Sequence, residues 1–223
     1  MQTHESYIGI KPFTVLVDAS PQLESLVSQA RELRSLPFDE KLQRTKQLTH
    51  QGIPINAYEQ MITCGEKADG LEGVKVIGSD GKIDNSEYEI ARKNSAKFEG
   101  IVFEEHPLSH ALQEGAGCCR YQGALFFVLA YEAQLGDKHF IQSAPVNERV
   151  NTVFNQVFDG EKMHDISIFT ESLKDKSYDY SRQNPNIFEQ VHQTRSGYNF
   201  YSYHRTPSGL VIVSEDARHV KNI

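Results

Sequence analysis

Residues Leu112 to Leu135, LQEGAGCCRYQGALFFVLAYEAQL, join a glycine-rich approach to two adjacent cysteines and then to the most apolar segment of the chain. Gly115 and Gly117 lie in the approach, and the apolar run from Ala124 to Tyr131 follows the cysteines. This order predicts a loop that ends at a thiol and a buried helix that starts there. Because a helix start has free backbone N–H groups and a partial positive charge, a thiolate at this place is stabilised.

The two adjacent cysteines, Cys118 and Cys119, leave two interpretations open. In the first, one of them is a nucleophile whose pKa falls from about 8.5 to roughly 3.5–7.5 at a helix start or beside a cation. Arg120 is such a cation, and the free amides of the first turn would bind the oxyanion of a tetrahedral intermediate. In the second, both side chains only fill space, since free cysteine is among the most buried residue types.

Composition limits the class of protein. The chain has 223 residues, of which 39% are hydrophobic and 24% charged, and this length suits one sizeable domain. A net charge of −7 without a basic stripe argues against nucleic acid as the partner. Three cysteines, two of them adjacent, do not form a disulfide framework. We expect neither a cofactor nor a bound metal.

Targeting signals are not evident in the sequence. The N-terminal residues MQTHESYIGIKPF lack a positive region followed by a long apolar run, so we expect no signal peptide. No stretch approaches the ~20 apolar residues of a membrane span, so we expect no membrane partner. Free thiols indicate a reducing compartment. The expectation is a cytoplasmic protein, or one exported without an N-terminal signal peptide.

Residues 1–100 are expected to form a mainly helical N-terminal part packed on the core. Ser20 and Pro21 are typical of a helix start, and Asp39 opens a second helix. A third helix is predicted from Ala57 to Thr63, with Cys64 just past its end. A strand over Tyr7 to Val17, interrupted at Pro12, precedes the helices.

Residues 101–223 are expected to hold the core, and the two parts together to form one compact domain. Lys97 to Phe103 reads as a short strand or extended link. After the buried helix that starts at the thiols, apolar and polar residues alternate, as in strands. A hairpin turn is predicted at Asp159-Gly160 and a C-terminal hairpin around Thr206 to Gly209. Helices followed by a run of antiparallel strands predict an α+β fold.

The segment DGKID, followed by Glu87, matches the second half of an EF-hand loop, with Gly81 at the sharp turn. In the first half, Val76 and Gly78 occupy places where acidic ligands belong, so weak calcium binding is expected. The favoured interpretation is a tight turn followed by a helix that is N-capped by Asp84, with Glu87 completing a capping box. A calcium sensor built on Asp80 to Glu87 is the less favoured alternative.

A cysteine nucleophile needs a base, and the base needs an orienting group. The strand Met163 to Phe169 offers His164, and the next strand offers Asp179, fifteen residues later. Two antiparallel neighbours joined by such a loop could place the Asp179 carboxylate beside the His164 ring. A solvated strand-end histidine and a turn aspartate are the alternative interpretations of these two residues.

The segment PLSHALQEGAGCCRYQGALFFVLAYEAQLG resembles the nucleophile region of the transglutaminase-like superfamily. Members show a glycine-rich loop, a G-x-C step often followed by Arg, a helix, and strands bearing His and Asp. Residues 117–120, GCCR, fit that pattern with Cys119 as the nucleophile and Cys118 as its packing neighbour. The resemblance covers Pro107 to Asp179. It implies a papain-like fold, with the nucleophile at the start of a central helix packed on an antiparallel sheet.

The same resemblance implies thiol-dependent acyl transfer on a protein glutamine or peptide carbonyl, by a transglutaminase, deamidase or peptidase. With no signal peptide expected, it would also suit a bacterial effector that acts in a host cytosol. One departure gives a second register. In many members a histidine opens a strand of the type H-x-W-N-x-V, and here residues 153–157, VFNQV, with Asn155 as the asparagine, match that strand. The histidine position then falls on Asn151 or Thr152, and the aspartate is Asp165. The preferred register keeps Cys119, His164 and Asp179, because it leaves the cysteine with a base.

The second register leads to a different function, a catalytically degenerate module that binds a protein partner. Aromatic residues are enriched at protein interfaces, and four of them lie together near the C-terminus, namely Tyr198, Phe200, Tyr201 and Tyr203. The alternative interpretation places these aromatics on the two faces of an edge hairpin.

Overall fold

Helices come first along the chain and most strands follow the last helix in the computed structural model, which describes residues 14–78, 81–145, 151–166, 168, 176–179, 199–206 and 209–215. The mixed α+β class expected from the sequence is confirmed. The predicted strand over Tyr7 to Val17 is described only as Thr14–Val17, and its earlier residues lie outside the described part.

The helices form where the sequence supplies caps and an apolar face. Ser20 accepts a hydrogen bond from the amide of Leu23 and Pro21 follows it, so the first helix begins as expected. It buries one stripe formed by Leu23, Leu26, Val27 and Ala30. The helices are α1 Pro21–Glu32, α2 Phe38–Gly52, α3 Ala57–Leu71, α4 Ser86–Phe103, α5 Leu108–Glu114 and α6 Cys119–Glu132, with a short 3-10 turn at Leu33–Ser35.

Seven described strands make one antiparallel sheet in the order β1-β11-β10-β6-β7-β8-β9. The N-terminal strand pairs with the last strand, so the two ends of the described chain meet in this sheet. Its strands are β1 Thr14–Val17, β6 Lys138–Pro145, β7 Asn151–Phe158, β8 Lys162–Ile166, β9 Lys176–Asp179, β10 Asn199–Thr206 and β11 Gly209–Glu215. The predicted turn at Asp159-Gly160 joins β7 to β8, and residues 207–208 join β10 to β11.

Helix α6 lies between the other helices and the sheet. Residues 121–130 are buried without interruption, which explains why the sequence there is apolar on every side. On one side it packs against α1 and α2, and on the other against β6 and β7. Phe126 belongs to a cluster that joins Leu42 of α2 to Val157 and Ile166 of the sheet. The thiols at the start of α6 are therefore positioned by the centre of the fold.

Two predictions about the helices were wrong. Helix α3 does not end before Cys64 but continues to Leu71, because it packs along α4 over most of its length. Residues 97–103 are the last turns of α4 and not a strand, because Ile101 is buried against Ala57 and Ala116 when the segment is helical. In both places tertiary packing decides the conformation. It outweighs the glycine that follows Cys64 in α3 and the β-propensity of residues 97–103 in α4.

The segment that partly matches an EF-hand forms a hairpin between α3 and α4. Strands β3 Val76–Ile77 and β4 Ile83–Asp84 pair with each other, whereas Asp80 lies outside the described residues. Helix α4 starts one residue later than predicted, with Asn85 as its N-cap, and the Asp84 carboxylate accepts a hydrogen bond from the amide of Ser86. This agrees with the predicted tight turn, but the N-cap assignment to Asp84 was wrong.

The chain leaves α6 through a tight connection to the sheet. Gly136 has φ +85, and a Cβ at this position would lie 2.5 Å from the carbonyl oxygen of Phe158. The amide of Asp137 donates a 2.7 Å hydrogen bond to the same oxygen. Glycine is required here both for its left-handed backbone and for the close approach. The end of α6 is thus fixed beside the β7–β8 turn.

Burial of His139 on β6 makes the fold sensitive to acid. Its Nε2 lies 2.8 Å from the carbonyl oxygen of Leu135, to which the ring N–H donates, and its ring stands edge-on to Phe127 and Tyr131. Burial lowers the pKa of His139 to about 4, although the Leu135 carbonyl opposes the shift. The unfolded chain therefore takes up this proton near pH 6.5, before the folded chain does.

We expect the free energy of unfolding to fall by about 2–3 kcal/mol, through this group alone, as pH decreases from about 6.5 to 4. His139→Gln keeps a donor for Leu135 and removes the titration, so its stability should change less over that range. Urea titrations at several pH values measure the difference, with replacement of the exposed His50 by Gln as the matched control. Equal pH slopes for wild type and His139→Gln would contradict the assignment.

Candidate functional site

A short glycine-containing segment carries the chain from α5 to the thiols. Gly115 ends α5 with φ +59, a left-handed conformation that favours glycine. Strand β5 Ala116–Gly117 then pairs in parallel with β2 Ile55–Asn56. A Cβ at Gly117 would lie 3.1 Å from both the Ile53 and the Tyr121 side chains. The absence of a side chain at Gly117 thus lets the backbone before the thiols pack closely against Ile53 and Tyr121.

The structure places both cysteines at the start of α6, as predicted. Cys118 is the N-cap residue, with extended backbone angles, and Cys119 is the first residue of the helix. The Cys118 side chain is only 7% exposed and belongs to the main apolar cluster, whereas Cys119 is partly exposed. The pair therefore combines a largely buried cysteine with a partly exposed one.

The thiol with the lowered pKa is Cys118. The Cys119 thiol donates a hydrogen bond to the Cys118 sulfur, and this contact does most to lower the pKa of Cys118 to about 7. Burial acts in the opposite direction, while the Arg120 charge and the amides of Arg120 and Tyr121 add to the lowering. The sulfur makes no regular capping hydrogen bond. These effects hold a large share of Cys118 as thiolate at neutral pH, in accord with the expected effect of a helix start.

The first turn of α6 is tied to the loop that precedes α5. The Tyr121 hydroxyl accepts a 2.9 Å hydrogen bond from the amide of His106 and donates to the carbonyl of Glu104. Arg120 donates to the same carbonyl and to the Tyr121 hydroxyl, with its guanidinium carbon 4.8 Å from the centre of the Tyr121 ring. These bonds fix Arg120 near the thiols.

His106 and Glu104 were not predicted as part of the site. The His106 ring lies 3.6 Å from the Glu104 carboxylate and is stacked on His110 at 4.3 Å between ring centres. The sequence signal that could have indicated them is the histidine before Pro107, at the entry to α5. The contact to Tyr121 links residues fifteen apart, so no local pattern predicts it.

Buried amide side chains hold the second turn of α6. Gln122 donates a 2.6 Å hydrogen bond to the carbonyl of Ile53, and Asn155 of β7 donates a 3.0 Å hydrogen bond to the carbonyl of Gly123. Both side chains are almost fully buried. Asn155, predicted as a supporting residue, therefore fixes β7 against the start of α6. Its described hydrogen bond goes to the Gly123 carbonyl and not to a thiol.

His164 does not lie with the thiols, which corrects the preferred triad. Its Nε2 is 2.7 Å from the Asp159 carboxylate, and its ring stacks on Phe38 at 4.5 Å. The β7–β8 turn that holds Asp159 adjoins Asp137, beyond the C-terminal end of α6. Because α6 has 14 residues, about 20 Å of helix separates this end from Cys119.

The Asp159–His164 pair closes the hairpin turn instead. One carboxylate oxygen of Asp159 accepts from the amides of Glu161 and Lys162, and the other contacts His164. Burial acts to raise the pKa of Asp159, but the His164 hydrogen bond and the two amides outweigh it and leave the pKa below its usual value. An open cleft of about 720 Å³ adjoins this turn, lined by Phe38, Lys41, Gln134, Gly136, Asp137, Asp159 and Glu161.

The two predicted aspartates are placed by the sheet register. Asp179 on β9 stands opposite Lys162, and Asp165 on β8 stands opposite Gln156. Their side chains, like those of the C-terminal aromatics, lie outside the described residues. Since β8 and β9 neighbour each other as expected, the strand pairing that was to join His164 and Asp179 exists, but it lies away from the thiols.

Strand β7 runs along α6 in the direction that the second register requires. Asn155 contacts the second turn of the helix at Gly123, and Phe158 lies beyond the helix end. Asn151 lies four residues before Asn155, about 13 Å back along the strand and toward the thiol end. The second register puts Asn151 or Thr152 in the place of the histidine, and neither residue type accepts a proton at neutral pH.

Neither a metal centre nor a membrane-spanning helix is found among the described residues. Among them, no three His, Cys, Asp or Glu side chains are grouped so that they could hold a metal ion. The same residues include no helix with the length and apolar content needed to cross a membrane.

Comparison of the chain with protein-family models, with curated proteins and with solved structures gave no match. The resemblance to the transglutaminase-like superfamily therefore rests on the motif around the thiols and on the matching strand at Asn155.

Proposed function

We propose that the Cys118–Cys119 pair carries out acyl transfer on a glutamine carboxamide or peptide carbonyl of a protein substrate. The observation that supports this most directly is the position of two adjacent thiols at the start of a buried helix, and the lowered pKa of Cys118, about 7, agrees with it. A papain-like arrangement of α6 on the sheet is part of the proposal. It is supported by the contact between Asn155 and the second turn of the helix.

The two thiols divide the work in this proposal. Cys119 is the nucleophile, as predicted, because its sulfur is the partly exposed one. Cys118 takes the role of the base that β7 does not supply. Its thiolate accepts the proton of Cys119 along the hydrogen bond between the two sulfurs, and the Cys119 thiolate then adds to the carbonyl carbon.

The following steps return the proton. The amides of Cys119 and Arg120 are the proposed donors to the oxyanion of the tetrahedral intermediate, since those of Tyr121 and Gln122 donate to the Cys118 carbonyl. When the carbon–nitrogen bond breaks, the Cys118 thiol gives its proton to the leaving ammonia or amine, and a Cys119 thioester remains. An amine or water then attacks the thioester, with the Cys118 thiolate again accepting the proton. Arg120 favours the state in which Cys118 is charged.

Amine incorporation into casein, with dansylcadaverine as the amine, tests this reaction, and ammonia release without the amine tests deamidation. We expect Cys119→Ala to abolish both products. Cys118→Ala should reduce them about 100-fold or more, the scale of a lost general base. His164→Gln is the matched control and should stay within about threefold of wild type, since His164 lies at the far end of α6.

A further variant separates the thiol base from an imidazole base. His106→Gln keeps the backbone amide that binds Tyr121, so it should also retain most activity. A large loss in His106→Gln with little effect of Cys118→Ala would overturn the proposed role of Cys118. Equal product yields from wild type and Cys119→Ala would contradict acyl transfer altogether.

A non-catalytic binding module is the second candidate, because the strand that would carry the family's histidine has Asn151 and Thr152 instead. Wild type would then become acylated by p-nitrophenyl acetate at the thiols but would not turn the acyl group over to an amine. Steady turnover after the first equivalent of p-nitrophenolate favours the enzyme over the module.

A further inference from the structure

The thiol pair has a second chemical capacity that does not depend on acyl transfer. The two sulfurs belong to adjacent residues and are in hydrogen-bond contact. Cys118 is 7% exposed, so a small oxidant reaches its sulfur more readily than a large one does. Cys119 is partly exposed and is the sulfur that a larger thiol reductant could attack.

We propose that Cys118 and Cys119 form a reversible peroxide-sensitive switch that closes to a disulfide between adjacent residues. The oxidant is a small hydroperoxide, with hydrogen peroxide as the simplest member. The site would take it up at the start of α6, beside Arg120. The inference holds whether or not the same thiols catalyse acyl transfer.

The reaction has two steps. The Cys118 thiolate attacks one peroxide oxygen, the O–O bond breaks, and hydroxide leaves, so Cys118 becomes a sulfenic acid. The Cys119 sulfur then attacks the Cys118 sulfur and expels the hydroxyl group, which takes up the Cys119 proton and leaves as water. Two thiols are oxidised by two electrons, and one peroxide is reduced to two molecules of water once the hydroxide is protonated.

Geometry makes the second step rapid and the product easy to reduce. The resolving thiol is already in contact with the Cys118 sulfur, so no chain movement is needed to bring the two together. Adjacent Cα atoms are about 3.8 Å apart, below the 4.4–6.8 Å typical of disulfides. A disulfide held at that spacing is strained, and strained disulfides are the readily reduced, regulatory ones.

Cys64 provides an internal control. It lies within α3, is partly exposed and is free, and its sequence neighbours are Thr63 and Gly65. A thiol with an ordinary pKa is only a few per cent thiolate at pH 7, whereas one with a pKa of about 7 is about half thiolate. The pair should therefore be oxidised about tenfold faster than a thiol with an unperturbed pKa, and Cys64 is the thiol in the same chain against which its rate is compared.

The experiment exposes the folded full-length chain to limiting hydrogen peroxide at pH 7 and follows tryptic peptides by mass spectrometry. We expect the peptide spanning residues 98–120 to lose two hydrogens, and to regain them with dithiothreitol, while the peptide that holds Cys64 stays reduced. In Cys119→Ser, whose hydroxyl can still donate a hydrogen bond to the Cys118 sulfur but cannot form a disulfide, the sulfenic acid on Cys118 should instead persist and be trapped by dimedone.

Three results would overturn the inference. The first is oxidation of Cys64 at the same rate as, or faster than, the pair. The second is a product in which the pair is joined to another chain or carried to sulfinic acid without passing through the disulfide. The third is dimedone labelling of wild type equal to that of Cys119→Ser. Each of these can occur with acyl transfer intact, so they are distinct from failure of the proposed function.

Discussion

Replacing Phe126 with alanine should destabilise the protein by about 3–5 kcal/mol, the usual cost of removing a fully buried phenylalanine. Phe126 has no exposed surface and joins α2 to β7 and β8 through Leu42, Val157 and Ile166. The loss should appear as a lower urea midpoint with an unchanged denaturant slope. If the alanine variant does not fold, Phe126→Leu should still lose about 1 kcal/mol.

Phe103→Ala is the matched control, since that ring is 65% exposed at the end of α4. Its expected cost is below about 0.5 kcal/mol. A loss below about 1 kcal/mol for Phe126→Ala, or equal losses for the two variants, would show that α6 is not the centre of the packed core. The thiols would then lack the rigid support on which the proposed chemistry depends.

The thiol environment is the second large expected effect. Replacing Cys119 with alanine removes the hydrogen bond that does most to lower the pKa of Cys118. The pKa of Cys118 should rise toward the ordinary value of about 8.5, so the thiolate fraction at pH 7 should fall about tenfold. Iodoacetamide labelling of Cys118 at pH 7, read by peptide mapping, should slow by the same factor.

Cys119→Ser is the matched variant for this experiment. Its hydroxyl can donate the same hydrogen bond, so the pKa of Cys118 should stay nearer to 7 than in the alanine variant. An alanine variant that labels as fast as the serine variant would show that the thiol contact does not stabilise the thiolate. Labelling of Cys64 in the same samples reports any general change in the fold.

Much of the fold could be predicted because local signals and packing agree. The Ser20-Pro21 start, the glycine at the end of α5, the apolar run of α6 and the Asp159-Gly160 turn each specify a local conformation that the fold uses. Local signals predicted the wrong conformation where the burial of side chains determines it. The glycine after Cys64 is tolerated in α3, and the β-prone residues 101–103 are helical, because α3 and α4 pack along each other.

The candidate site could be predicted only in part. A helix start is a local feature, so the position of the thiols followed from the sequence. The side chain that lies beside a thiol depends on which strand packs along the helix and on the direction of that strand. The spacing of residues along the chain does not give that information. His164 looked like a base, but the β7–β8 turn holds it to Asp159, at the far end of α6. The contact of Tyr121 with residues 104–106 is equally non-local.

The most direct test is the pH dependence of iodoacetamide labelling in the unsubstituted protein, resolved for each cysteine by peptide mapping. Our account expects the labelling rate of the Cys118–Cys119 pair to rise with a midpoint near pH 7. A midpoint near 8.5 or above for this pair would contradict a stabilised thiolate at the start of α6. Both the acyl-transfer proposal and the peroxide switch would then lose their physical basis.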